Sequence, residues 1–134
     1  VRINPLEIQV RFIDLDVLGH VNNAVYLSYF EMARVHYFKE LLGENWDWRK
    51  NGLLLVRNEV DYLAPILLHQ KPLISIYVEE IGIKSFKLKY EIHIENKLHT
   101  VGFSTLVCFD ALLNRTIAIP SKMKSSLENL KQIK

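Results

Sequence analysis

One cysteine, four prolines and five glycines are all that this chain of 134 residues holds of the types that staple or punctuate a fold. A lone cysteine excludes an intramolecular disulfide framework and fits a reducing compartment. Cys108 sits in the apolar run Leu106-Val107-Cys108-Phe109, where a small buried hydrophobe is expected rather than a nucleophile. No apolar stretch approaches the ~20 residues that a membrane span needs. Arg2 is followed by Asn4, Pro5 and Glu7 rather than by the apolar core of a leader, so a cytoplasmic protein with no membrane partner is expected. Net charge is only +2, and no stripe of Lys and Arg interleaved with aromatics points to nucleic acid. The locally basic tail Lys122, Lys124, Lys131, Lys134 is expected to be a solvated helix face. His36, His69, His93 and His99 show no ligand spacing, and no metal is expected.

Hydrophobic residues make up 49% and charged residues 24%, an ordinary globular balance. With no repeat, linker or low-complexity segment, one domain over 1–134 is predicted. Residues 6–13 alternate apolar and polar and predict a half-buried strand. From Asn23 the period changes: Tyr26, Tyr29, Phe30, Ala33, Tyr37, Phe38, Leu41 and Leu42 recur at spacings of three and four. That is an amphipathic helix of about five turns, capped by Asn22 or Asn23 and stopped at Gly43. The many aromatics on it suggest a helix wrapped by a sheet. Strands are predicted over 53–63, 71–81, 86–95 and 98–109, with a tight turn at Asn96-Lys97 and a short edge segment over 115–119. Pro120-Ser121 introduce a C-terminal helix reaching about Leu130. A helix followed by a run of strands gives an α+β fold with an antiparallel sheet.

The most specialised segment is Asp14-Leu15-Asp16-Val17-Leu18-Gly19-His20-Val21-Asn22-Asn23. It packs acids, amides, one glycine and one histidine into ten residues, ending where the long helix begins. A helix start presents N–H groups without intrahelical partners. A carboxylate beside it suits attack on a polarised carbonyl, or activation of water against one. Function is therefore expected near Asp16. The bland alternative is a carboxylate serving only as cap or dipole partner.

That loop, with Tyr26 and Tyr29-Phe30-Glu31-Met32-Ala33-Arg34, resembles the hot-dog-fold acyl-CoA thioesterases, in the branch of 4-hydroxybenzoyl-CoA thioesterase. The likeness continues through Val56-Arg57-Asn58-Glu59-Val60-Asp61-Tyr62-Leu63-Ala64-Pro65 and Lys84-Ser85-Phe86, to Ile119-Pro120. It implies a single hot-dog domain, a five-stranded antiparallel sheet around a long central helix with a short C-terminal helix. It implies active sites built between paired subunits, in a homodimer or a dimer-of-dimers tetramer. Asp16 would be nucleophile or general base on the thioester, and the N–H at Asn23 or Ala24 would polarise its carbonyl. Lys84 and Ser85 would lie near the phosphates of coenzyme A. The loop is also similar to that of plant acyl-ACP thioesterases, matching at Asp16 and His20 but carrying Leu18 where they carry Asn.

The remaining candidates each have a structural alternative. Asp14 is expected to hydrogen-bond the loop backbone. His20 either meets substrate or shapes the loop. Asn23 is expected to cap and to donate to the oxyanion. Tyr26 and Tyr29 are core aromatics, one of which could line the acyl pocket. Glu31 and Arg34, three apart on the helix, are expected to pair. Glu59 is either a catalytic carboxylate or an interface ion pair, and Arg57 and Lys84 either meet phosphates or are solvated. The expected activity is hydrolysis of an acyl-CoA to a carboxylic acid and CoA. No cofactor is expected beyond the CoA of the substrate. The competing classes are a non-catalytic acyl-CoA or acyl-carrier-protein binding module and an acyl-ACP thioesterase. A hot-dog dehydratase would show a signature such as His-Phe-Pro ahead of the helix, and none is present.

Overall fold

Eighteen consecutive residues, Val25–Leu42, form the central helix α1, and a curled antiparallel sheet holds its apolar side. The computed structural model describes residues 2–131, so Lys134 lies outside them. In chain order the strands are β1 (Leu6–Glu7), β2 (Gly52–Tyr62), β3 (Leu73–Ile81), β4 (Ser85–Ile94), β5 (Lys97–Asp110) and β6 (Arg115–Thr116). A second helix, α2, spans Ser121–Asn129. The sheet order is β1-β3-β4-β5-β2, with β6 beside the end of β5. The sheet thus has the expected architecture, with two strands of only two residues. No described helix is long and apolar enough to cross a membrane.

The alternation of β4 puts Phe86, Leu88, Tyr90, Ile92 and Ile94 inside, and they meet the aromatic stripe of α1. Phe30 stacks on Tyr90 with ring centroids 4.2 Å apart, and Phe38 meets Phe86 edge-on at 6.2 Å. Phe30 reaches the sheet because residue 102 has no side chain. A Cβ built on Gly102 would lie 2.5 Å from Phe30 Cζ. Arg34 is buried in this layer and donates from Nη1 to the Tyr90 hydroxyl at 2.8 Å. Its expected partner Glu31 is farther, at 3.9 Å. Cys108 is fully buried, and burial pushes its thiol up to about 11, which agrees with a packing role. α2 closes the open side through Met123 and Leu127, both fully buried.

Three expectations are corrected. Residues 6–13 pair as a strand only at Leu6 and Glu7. Ile8 and Val10 keep the inward alternation, but Phe12–Asp14 wind into a 3-10 turn, because the Asp14 carboxylate folds back onto the Arg11 N–H at 3.0 Å. The β4–β5 turn is centred on Glu95-Asn96, both with positive φ, one residue earlier than read. The expected edge segment over 115–119 pairs only at Arg115 and Thr116.

Candidate active site

The loop between the 3-10 turn and α1 is closed at its base by backbone bonds. Asn22 N–H donates to Asp14 O at 2.8 Å, and Asp16 N–H donates to His20 O at 2.7 Å. Gly19 turns the chain with φ +77, a left-handed conformation that few side chains adopt. Asp16 Oδ1 accepts from Leu18 N–H at 2.9 Å and from His20 N–H at 3.2 Å. Oδ2 has no donor among the described residues. The carboxylate is exposed, one oxygen holding the loop and the other available to a ligand.

The helix start lies across a small cavity from it. Asn22 Oδ1 accepts from Ala24 N–H at 2.9 Å, bracing the turn that leads into the helix, whose N-cap position is Ala24 with no side-chain cap bond. No side-chain bond from Asn23 caps the helix, a correction to its expected double role. Ala24 N–H and Val25 N–H are engaged, while Asn23 N–H has no acceptor among the described residues. Asp16, His20, Val21, Asn23, Tyr26, Tyr62, Leu63, Ala64 and Pro65 line this cavity of about 270 Å³. Tyr62 OH donates to Asn23 O at 3.0 Å, and its ring meets Tyr26 edge-on at 4.8 Å. Burial raises the pKa of both phenols, which keeps them protonated at neutral pH. The cavity therefore brings Asp16 and Asn23 together beside Tyr26 and Tyr62, against an apolar wall.

Of the other expected residues, Tyr29 does not line the cavity. Its hydroxyl donates to Asp14 Oδ2 at 2.7 Å. Asp14 is 1% exposed and also accepts from Arg11 Nη2 at 2.8 Å and Nε at 3.2 Å. Burial pushes its carboxyl upward, but the bonds from Arg11 and Tyr29 outweigh that and hold it below the usual range. Glu59 and Arg57 are on the outer face of the sheet, bonded to each other at 3.3 Å, with Lys87 3.8 Å from Glu59. The structure does not bring either to Asp16 within one chain. Lys84 and Ser85 lie at the far end of the β4–β5 ladder. Ser85 pairs with Val107, whereas Tyr62 pairs with Thr100, a span of roughly 23 Å along the strand. Lys84 Nζ there donates to Thr116 Oγ1 at 3.4 Å.

Sequence reasoning missed Tyr62. It stands at a strand end ahead of Ala64-Pro65, with no local signal that it meets a helix start. A second, more apolar groove also went unforeseen. It lies between α1 and β2 with a volume of about 430 Å³, and Glu31, Arg34, Val35, Phe38, Trp48, Leu53, Leu55 and Leu106 line it.

Residues 10–127 match the pattern that defines the thioesterase-like superfamily. The chain is 29% identical to the long-chain acyl-CoA thioesterase FadM of Escherichia coli (strain K12) over 127 residues, covering 92% of this chain and 96% of FadM. Over a shorter stretch of 86 residues it is 30% identical to YsmA of Bacillus subtilis (strain 168), covering 63% of this chain and 56% of YsmA. Among solved structures it superposes on a thioesterase from Thermus thermophilus, complexed with coenzyme A and Zn, with a TM-score of 0.83. The identity is 32%, over 96% of this chain and 93% of that one. The chain belongs to the thioesterase-like superfamily and has its hot-dog fold.

Proposed function

We propose that this protein is an acyl-CoA thioesterase, hydrolysing the thioester to a free carboxylic acid and coenzyme A. One observation carries the reading: Asp16, with one carboxylate oxygen uncommitted, and Asn23, with an unpaired N–H, line the same small cavity. The thioester carbonyl oxygen would accept from Asn23 N–H, where a positioned donor is worth about 3 kcal/mol toward the transition state. Asp16 then acts in one of two ways. Its oxygen bonds to the carbonyl carbon and expels CoA as thiolate, leaving a mixed anhydride that water cleaves. Alternatively it takes a proton from water, which forms that bond instead. His20, tied to Asp16 through its backbone, shapes the loop and lines the same wall.

A second copy would complete the site. β2 is an edge strand of 11 residues, and Leu54, Leu55 and Val56 on it are 43–58% exposed. An unpaired apolar edge of that length is a template for another strand. Antiparallel pairing of β2 with its own copy about residues 57–58 sets Tyr62 opposite the Leu53 region. That would put the α1–β2 groove of one copy beside the Asp16 cavity of the other, with apolar walls for the acyl group. The similarity to FadM and to a CoA-bound thioesterase supports the same substrate class. The test is a panel of acyl-CoA thioesters of varied chain length and aromaticity, with acyl-carrier-protein thioesters alongside, followed by thiol release. Turnover of acyl-CoA supports the reading. Tight CoA binding without turnover would make the protein a binding module, and turnover only of acyl-carrier-protein substrates would change the carrier.

A further inference from the structure

We infer that Tyr29 and Asp14 are positioning residues, a buried lock that sets the Asp16 loop against the start of α1; the inference rests on the proposed role of Asp16. Asp14 is a carboxylate 1% exposed at the root of a surface loop, and burial of a charge is costly unless it is compensated. Here compensation is complete: Tyr29 OH and Arg11 N–H on Oδ2, and the Arg11 guanidinium on Oδ1. Arg11 lies on the segment that enters the loop, and Tyr29 on the helix that leaves it. Asp14 O also receives Asn22 N–H at 2.8 Å, so this one residue fastens both ends of the loop. Tyr29 is the only side chain of α1 that donates to that carboxylate among the described residues. It therefore carries the registration between helix and loop.

Neither residue lines the Asp16 cavity, so neither touches substrate there. Their effect passes through geometry. Asp16 is two residues beyond Asp14, and its Oδ1 grips Leu18 and His20 within the same loop. Removing the Tyr29 hydroxyl unties Asp14 from α1, which loosens the loop closed by this grip and frees it to shift against Asn23 N–H. Misplacement of the reacting groups by about an ångström costs on the order of 100-fold in rate. Because neither residue lines the cavity, CoA binding is expected to be retained.

The experiment compares Tyr29→Phe with Tyr37→Phe, which removes another buried phenol from the same helix far from the loop. Steady-state kinetics are taken on an acyl-CoA that the wild type cleaves, well below both melting temperatures. Amide hydrogen exchange at Leu18 and His20 is measured in parallel. The lock predicts that Tyr29→Phe lowers kcat by tenfold or more with KM within twofold, and speeds exchange at Leu18 and His20 by tenfold or more. Tyr37→Phe should change neither. Asp14→Asn, which keeps shape and removes the charge, should resemble Tyr29→Phe. A Tyr29→Phe enzyme with kcat and loop exchange within twofold of wild type overturns the inference. A wild type inert on every thioester would sink the proposed activity instead, while the exchange measurement would still decide the lock.

Discussion

The hydroxyl of Tyr62 donates to the carbonyl oxygen of Asn23 at 3.0 Å, fastening the end of edge strand β2 to the residue whose N–H is left free at the start of α1. Replacing Tyr62 with Phe keeps the ring against Tyr26 and removes only this tie. The site is partly open to water, so a loss of about 0.5–1 kcal/mol is expected, seen as a lowering of Tm by a few degrees. The same change should reduce kcat several-fold, because the residue that presents the free N–H is held one peptide away by this bond and is less well fixed without it. Thermal melts and steady-state kinetics of the variant check both.

Gly102→Ala should be among the most damaging single-methyl changes in the sheet. The new Cβ would fall 2.5 and 2.6 Å from Phe30 Cζ and Cε2. That ring is fully buried and stacked on Tyr90, so it has nowhere to swing. Overpacking of this kind costs about 1–3 kcal/mol. Urea unfolding should show the loss, and adding Phe30→Leu should recover part of it.

Much of this fold was legible because its signals are local. The period-two alternation of Ser85–Ile94 matches the buried residues position by position, since a sheet with one covered face imposes that period. The helix stops at Gly43, whose N–H donates to Lys39 O at 2.9 Å. What was not legible depends on residues far apart in the chain. The 3-10 turn over Phe12–Asp14 replaces a strand because Asp14 folds back onto Arg11, and the carboxylate that does so is buried with the help of Tyr29, 15 positions away. Tyr62 reaches Asn23 across 39 positions, which no periodicity encodes. Asp16 was identifiable from its place ahead of a helix. That Ala24 takes the N-cap position, with Asn22 bracing the turn before it, follows from loop geometry closed by bonds elsewhere in the chain.

The buried Asp14 gives stability a definite pH dependence. Its folded carboxyl titrates below the usual value: burial acts to raise it, and the bonds from Arg11 and Tyr29 act to lower it and prevail. In the unfolded chain an aspartate titrates near ~3.9. A depressed folded value means that the stabilisation is present in full above the unfolded value and is lost as pH falls through the folded one. Asp14→Asn should therefore be less stable than wild type at neutral pH, and the gap should narrow progressively below about pH 4. Urea midpoints of the two proteins across that range provide the measurement.

Charge on the edge of β2 should separate the proposed pair of subunits. Val56 is 58% exposed at an irregularity in the strand register, and a lysine there blunts edge pairing. Val56→Lys is expected to keep a native circular dichroism spectrum and to run as a smaller species in analytical ultracentrifugation, with thioesterase turnover lost. An unchanged mass would place any subunit contact elsewhere.

The most direct measurement is turnover of Asp16→Asn on the best acyl-CoA found for the wild type, with CoA binding followed by calorimetry. The substitution preserves size and an oxygen for the loop N–H bonds while removing the charge that attacks carbon or water. The account predicts a fall in kcat of roughly 10²–10⁴-fold with CoA affinity little changed. A variant that turns over within a few-fold of wild type would contradict it.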